Sequence, residues 1–189
     1  MNAPNVITVC RVISVPVVVY LIYLPVAWAR WCSTALFILA MLSDVADGII
    51  AKRRDQITTF GIFLDPVADK MLILSLFLAL SGLGVIPLWI SLVILWRELL
   101  VTGIRSVASS QGLVVGANWM GKTKAVVQTA AIIAAQLYLC FQSEGLLTEN
   151  SANLSSAVVT VLATAAAVLS VAFACVFAYW NRAILFAEV

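Results

Sequence analysis

An all-α integral membrane protein is the fold this sequence predicts: a six-transmembrane-helix bundle with a short N-terminal interfacial segment and both termini cytoplasmic. Three observations predict it. The 189 residues are 63% hydrophobic and 11% charged, with a mean hydropathy of +1.09, whereas a soluble domain is nearer a quarter charged. Several apolar stretches approach or exceed the ~18–20 residues that cross a bilayer. The basic residues are also unevenly placed. With the N-terminus in the cytoplasm, Arg11, Lys52, Arg53, Arg54, Lys70, Arg97, Arg105, Lys122, Lys124 and Arg182 fall toward the cytoplasmic side, and only Arg30 falls outside. Lys70, Arg97 and Arg105 lie within spans, but the asymmetry survives without them and follows the positive-inside rule.

The chain reads as a single membrane domain, 1–189. Residues 1–11 form the interfacial segment, with Pro4 and Asn5 as a helix-start signal and Val6, Ile7, Val9 and Cys10 on the membrane surface. The opening lacks a basic start, an apolar run and a small-residue cleavage site, so residue 1 is expected to begin the mature protein. The first span covers about 12–29, with Pro16 and Pro25 inside it, and Arg30 and Trp31 mark the far interface. The second runs over about 32–51 and the third over about 60–81, joined by the polar turn Lys52-Arg53-Arg54-Asp55. A Gly-containing link leads to the fourth, about 86–107, which holds Arg97, Glu98 and Arg105. A polar loop over 109–124 precedes the fifth, about 125–142. The sixth, about 154–180, is the most uniformly apolar and reads as lipid-facing or structural. Short connections between six spans give an antiparallel helical bundle.

Chemistry is concentrated between Ser43 and Lys70, where Asp44, Asp47, Asp65 and Asp69 interrupt an apolar chain. The first pair is three residues apart and the second four, so each pair shares a helix face. A carboxylate at membrane depth costs about 2.5–3.5 kcal/mol on insertion scales and is normally turned to a cavity or a partner. Four converging carboxylates repel one another unless cations are present, and hard divalent ions such as Mg²⁺ or Mn²⁺ suit oxygen donors. Gly48, Ala51 and Gly61 are small residues on the same faces and leave room beside the metals. The chain has no histidine, which excludes histidine metal sites and histidine general bases. Its four cysteines form no CxxC and no disulfide framework.

Arg97 and Arg105, eight residues apart, lie two turns apart on roughly one side of the fourth span, and Lys122 and Lys124 lead into the fifth. Basic groups beside metal ions suit a ligand with more than one phosphate. Two metals at a phosphate stabilise both oxygens of an in-line displacement. Buried Asp–Arg struts and small-residue helix packing are the competing account. Four carboxylates at helical spacing exceed what packing requires, whereas Arg97 or Arg105 taken singly fits a strut as readily. Arg53 and Arg54 also fit interfacial anchors, and Gly103, Ser106 and Ala108 read as packing residues. Glu98 adjoins Arg97, but consecutive helix residues do not face each other.

The pattern Asp44-x₂-Asp47-Gly48-x₂-Ala51-Lys52-x₈-Gly61-x₃-Asp65-x₃-Asp69 resembles the signature of the CDP-alcohol phosphotransferases. One position departs: Lys52 stands where the family pattern has arginine, and Arg53 follows directly. Pro4-Asn5-x₂-Thr8-x₂-Arg11, FGIFLDPVADK, WRELLVTGIR and GKTK are similar to the bacterial branch of the family that joins CDP-diacylglycerol to sn-glycerol 3-phosphate. The resemblance implies phosphatidylglycerophosphate and CMP as products, in phospholipid biosynthesis. It also implies a homodimer in the bacterial inner membrane, its active site facing the cytoplasm. By the same resemblance, Asp44, Asp47, Asp65 and Asp69 ligate two divalent cations, and Asp69 is also the general base. Asn5, Thr8, Gly48, Ala51, Lys52, Thr58 and Gly61 surround the CDP-diacylglycerol head, and Arg97, Arg105, Lys122 and Lys124 hold the acceptor's phosphate. Inositol phosphate, serine or phosphatidylglycerol are the alternative acceptors.

Two other functions compete. Gly116-x₄-Gly121-Lys122-Thr123 fits the P-loop expression, which requires a preceding strand and a βαβ sheet that the sequence does not suggest. A divalent-cation transporter would use the aspartates as a midplane ion site. Against it, the carboxylates cluster toward one face and the chain has no internal repeat.

Overall fold

The computed structural model describes residues 3–54, 59–110 and 119–180, and the side chains of 10–43, 70–106 and 121–180. Six helices make up the described chain, with no strand among the described residues: α1 (Ala3–Tyr23), α2 (Ala27–Arg54), α3 (Thr59–Gly82), α4 (Leu88–Ser110), α5 (Trp119–Ser143) and α6 (Glu149–Trp180). Gly121–Ser143 and Glu149–Trp180 are long and apolar enough to cross a membrane. Cys10–Tyr23, Ala27–Ser43 and Lys70–Gly82 are shorter apolar helical segments.

Several boundaries differ from the sequence expectation: Lys52, Arg53 and Arg54, expected in a turn, end α2, and α6 begins at Glu149 rather than near 154. The N-terminal segment is continuous with α1, so that 3–23 is one helix. Pro16 is tolerated inside it, but Pro25 lies in the bend that separates α1 from α2. Proline disfavours helix at the residue before it, which makes it a natural breaker there. A further difference is at α5, which begins at Trp119, so Lys122 and Lys124 stand in its first two turns rather than in a loop.

Two links at the same end of the bundle close by one device. After α3, Val85 N–H donates to Leu80 O and Gly84 N–H to Ser81 O, both at 3.0 Å, with Gly84 at φ 73°. After α5, Leu146 N–H donates to Phe141 O and Gly145 N–H to Gln142 O, both at 3.2 Å, with Gly145 at φ 69°. Each is a Schellman cap, which needs a left-handed residue at the glycine position. Gly84→Ala and Gly145→Ala are therefore each expected to cost about 1–2 kcal/mol, read as a lower melting temperature in detergent with activity per folded molecule unchanged.

The core draws on every helix. Val18 and Ile22 of α1, Phe37 of α2, and Leu72, Leu76, Phe77 and Leu80 of α3 meet Ile90 and Ile94 of α4, Ala131, Ile132 and Ala135 of α5, and Val159, Ala163 and Ala166 of α6. Helix α1 packs on α2 and α3, α5 on α2, α3 and α6, and α4 on α3 and α6. The α6 contribution is a stripe of small residues, Ala163, Ala166, Ala167 and Ser170, which allows α4 and α5 to approach it closely. Outside this core, Leu39, Leu42, Trp96, Leu99, Leu100, Val161 and Val168 turn large apolar surfaces outward, as a lipid surrounding requires.

A polar belt fastens the end near the α1–α2 bend. Arg30 Nη1 donates to Leu139 O at 3.0 Å, Trp31 Nε1 to Glu144 Oε1 at 2.7 Å, and Ser33 Oγ to Val18 O at 2.9 Å. Trp31 also meets Phe141 edge to face, with ring centroids 5.8 Å apart. These contacts tie α2 to α5 and α1, and leave the opposite end of the bundle to the charged residues.

Candidate active site

Buried positions recur every four residues on α4 and α5, and the same register delivers polar groups to the interior. On α4, Ile90 and Ile94 are followed by Glu98; on α5, Lys124 and Gln128 precede Ile132, Gln136 and Cys140. Each set lies on one helix face. Glu98 is 6% exposed and Lys124 9%, so their charges have left water together. Burying a single charge is prohibitive, but a paired and hydrogen-bonded one is tolerated.

The pairing is a three-residue cluster. Arg97 Nη1 donates to Glu98 Oε1 at 2.7 Å, and Lys124 Nζ donates to the same oxygen. Arg97 is held from the other side, where Nε donates to Ser170 O of α6 at 2.9 Å. Gln128 Nε2 donates to Ser170 Oγ at 3.1 Å, joining α5 to the same point on α6. One turn beyond Glu98, Thr102 Oγ1 donates back to Glu98 O at 2.6 Å and accepts from Lys70 Nζ of α3. Four helices thus converge on one polar junction, with Arg97 and Lys124 paired to a single carboxylate and Lys70 bonded to Thr102 beside it.

Arg105 stands apart from this junction. It is exposed, and its guanidinium carbon lies 5.9 Å from the centre of the Phe177 ring of α6. From Arg97 to Arg105 is eight residues on α4, and from Ser170 to Phe177 is seven on α6. The two contacts advance together, so α4 and α6 run in the same sense with Arg105 about 12 Å along the axis from Arg97. Lys122 is exposed, one turn or less from Lys124. Of the four basic residues expected at an acceptor phosphate, then, Arg97 and Lys124 are brought together, while Arg105 and Lys122 lie at the margin.

Glu98 is the residue that sequence reasoning passed over. The rule that consecutive helix residues diverge holds for their Cβ directions. A long arginine and a long glutamate nonetheless reach each other around the helix when a third group, here Lys124, draws the carboxylate inward. The register Ile90–Ile94–Glu98 was the available signal.

The acidic residues fall on the facing helices. The backbone carries Asp44 and Asp47, with Gly48, Ala51 and Lys52, in the last third of α2. Gly61, Asp65 and Asp69 are in the first half of α3, and Asn5 and Thr8 in the first turns of α1. The side chains of all these residues, and Thr58 entirely, lie outside the described residues. Among the described residues no group of three or more His, Cys, Asp or Glu is placed to hold a metal ion. Lys70, at the described edge of the basic junction, directly follows Asp69 in α3. The P-loop alternative needs a sheet around it, and no strand occurs among the described residues; residues 111–118, where its own strand and loop would lie, are outside them.

Known proteins resemble this chain along much of its length. The family model for CDP-alcohol phosphatidyltransferase matches residues 1–180. The chain is 36% identical over 149 residues to the CDP-diacylglycerol–glycerol-3-phosphate 3-phosphatidyltransferase of Bacillus subtilis (strain 168), covering 72% of this chain and 77% of that protein. It is 36% identical to the protein of the same name from Sodalis glossinidius (strain morsitans), over 70% of this chain and 75% of the relative. With that of Pseudomonas fluorescens the identity is 42%, over 56% of this chain and 55% of the relative. A family match across nearly the whole length, on an all-helical chain with apolar helices, leaves one assignment: the chain belongs to the CDP-alcohol phosphatidyltransferase family.

Proposed function

We propose that this protein transfers a phosphatidyl group from CDP-diacylglycerol to sn-glycerol 3-phosphate, giving phosphatidylglycerophosphate and CMP. The observation that carries the reading is the similarity to relatives whose names state that reaction, 36% identical across 77% of the Bacillus subtilis protein. The nearly buried pair Arg97 and Lys124 supports it, since a phosphorylated acceptor needs a cationic seat and serine does not. The chain crosses the bacterial inner membrane six times as a homodimer, both termini and the active site on the cytoplasmic side. The distribution of Arg and Lys supports that orientation.

The donor set fits divalent cations: four carboxylates in two helical pairs are hard oxygen ligands, and no softer ligand accompanies them. Asp44, Asp47, Asp65 and Asp69 would hold two Mg²⁺ or Mn²⁺ ions, which would supply charge neutralisation to the departing CMP. Asn5, Thr8, Gly48, Ala51, Lys52, Thr58 and Gly61 would take the CDP-diacylglycerol head while its acyl tails stay in the bilayer. Arg97 and Lys124, with Lys122 and Arg105 at the margin, seat the acceptor's phosphate. Asp69 accepts the proton of the acceptor hydroxyl as that oxygen bonds to the lipid-side phosphorus and the bond from phosphorus to CMP breaks. Phosphoryl transfer through a loose transition state asks mainly for positioning and charge, so a weak carboxylate base suffices.

The test is CMP release by the purified protein in liposomes containing CDP-diacylglycerol, with Mg²⁺ and each acceptor in turn. Glycerol 3-phosphate is expected to support turnover, and inositol phosphate, serine and phosphatidylglycerol at most a small fraction of it. A preference for another acceptor would move the protein elsewhere in the family, and metal flux without CMP release would favour a transporter. Chelation by EDTA is expected to abolish turnover and added Mg²⁺ or Mn²⁺ to restore it, followed by the same CMP assay.

A further inference from the structure

We infer that Glu98 is a positioning residue for the acceptor: it fixes Arg97 and Lys124 side by side so that together they receive a phosphate dianion. The inference rests on the reading of Arg97 and Lys124 as acceptor ligands and extends it to a carboxylate within the seat.

The charge balance is the first reason. Arg97 and Lys124 both pair with one carboxylate. Two cations against one anion leave one positive charge in a junction whose members are nearly buried. An ion pair that served only as a strut would be balanced, because uncompensated buried charge is costly. The surplus suits an anionic ligand, and a phosphate monoester is one at neutral pH.

The second reason is donor geometry. Both ion pairs land on Oε1 of Glu98, which brings Arg97 Nη1 and Lys124 Nζ to one atom. A guanidinium has five N–H donors and an ammonium three. Among the described residues, the Arg97 bonds use Nε and Nη1 and leave Nη2 undirected, and Lys124 makes one bond, to Glu98. Without the carboxylate, two like charges this close would separate. With it, their remaining donors are held toward a common ligand at no further ordering cost when that ligand arrives.

The third reason is location. Glu98 is linked through Thr102 to Lys70, the neighbour in sequence of the proposed base Asp69. A phosphate seated at the junction would keep its glycerol hydroxyl within a small molecule's length of that part of α3.

Steady-state kinetics in CDP-diacylglycerol liposomes tests this with Glu98→Gln, Glu98→Asp and Lys124→Met. Glu98→Gln keeps the shape but not the charge. It is expected to raise the KM for glycerol 3-phosphate roughly tenfold or more while the KM for CDP-diacylglycerol moves less than about twofold. Glu98→Asp keeps the charge and should recover part of the loss. If Glu98→Gln does not accumulate as folded protein, the same split of KM values in Glu98→Asp decides. Equal changes in both KM values accompanied by a lower melting temperature would mark a strut and overturn the inference, as would a lower KM for glycerol 3-phosphate, which would make Glu98 a competitor of the phosphate. Should Lys124→Met raise that KM while Glu98→Gln leaves it unchanged, the acceptor seat stands without Glu98. Should neither variant change it, the acceptor seat itself is misplaced.

Discussion

Asp69→Asn is expected to lower CMP release by about 10²–10⁴-fold, the usual contribution of a positioned general base. The substitution keeps the side-chain shape and one oxygen while removing the group that takes the hydroxyl proton. Metal binding is expected to survive in part, because Asp44, Asp47 and Asp65 still offer three carboxylates. Mn²⁺ titration of the variant, followed by the metal's paramagnetic signal, separates the two roles. Retained binding with lost turnover is the pattern of a base that also ligates. Loss of both would make Asp69 a ligand first, and near-normal turnover would remove it from the proton transfer altogether. An aspartate in the first half of α3 sits four residues after Asp65 and one before Lys70, so the variant also probes how the acidic face meets the basic junction.

How much of this was legible beforehand depends on the range of the interaction. Helices follow from local periodicity, and the sequence places helix at all six stretches where the structure has one. The ends were harder. A break at Pro25 rather than a span running through it depends on how α1 and α2 turn against each other, which no local pattern states. The Schellman caps at Gly84 and Gly145 were signalled by glycine, but glycine also marks packing, and only the positive φ separates the two uses. The candidate site divides in the same way. The aspartate spacing is a within-helix property and could be read at once. The partnership of Glu98 with Lys124 joins residues 26 positions apart on different helices, and the link of Arg97 to Ser170 spans 73. What the sequence did contain was an unspent clue: a carboxylate, a lysine and two glutamines at four-residue intervals on the buried faces of apolar helices. Polar groups at such positions have partners by necessity, even when their identity is hidden.

Arg97→Met is expected to reduce kcat/KM for glycerol 3-phosphate by about 100-fold, in line with truncating one member of a buried charged pair. Two losses combine. The seat gives up one of its cations, and Glu98 keeps Lys124 alone, so the lysine is held by a single partner. Stability should fall by about 1–3 kcal/mol, and no further, since Lys124 still neutralises Glu98 and the Ser170 carbonyl remains in its helical bond. Arg97→Lys is the more informative change. It preserves the charge, but one ammonium lacks the fork by which Nε reaches Ser170 O while Nη1 reaches Glu98 Oε1. The lysine variant should therefore melt close to the parent protein yet show a raised KM for glycerol 3-phosphate and an unaltered KM for CDP-diacylglycerol. Parent-like kinetics in Arg97→Lys would mean that charge alone matters at this position. A loss shared equally between the two substrates would instead place Arg97 in the scaffold that joins α4 to α6, with no direct part in holding the acceptor.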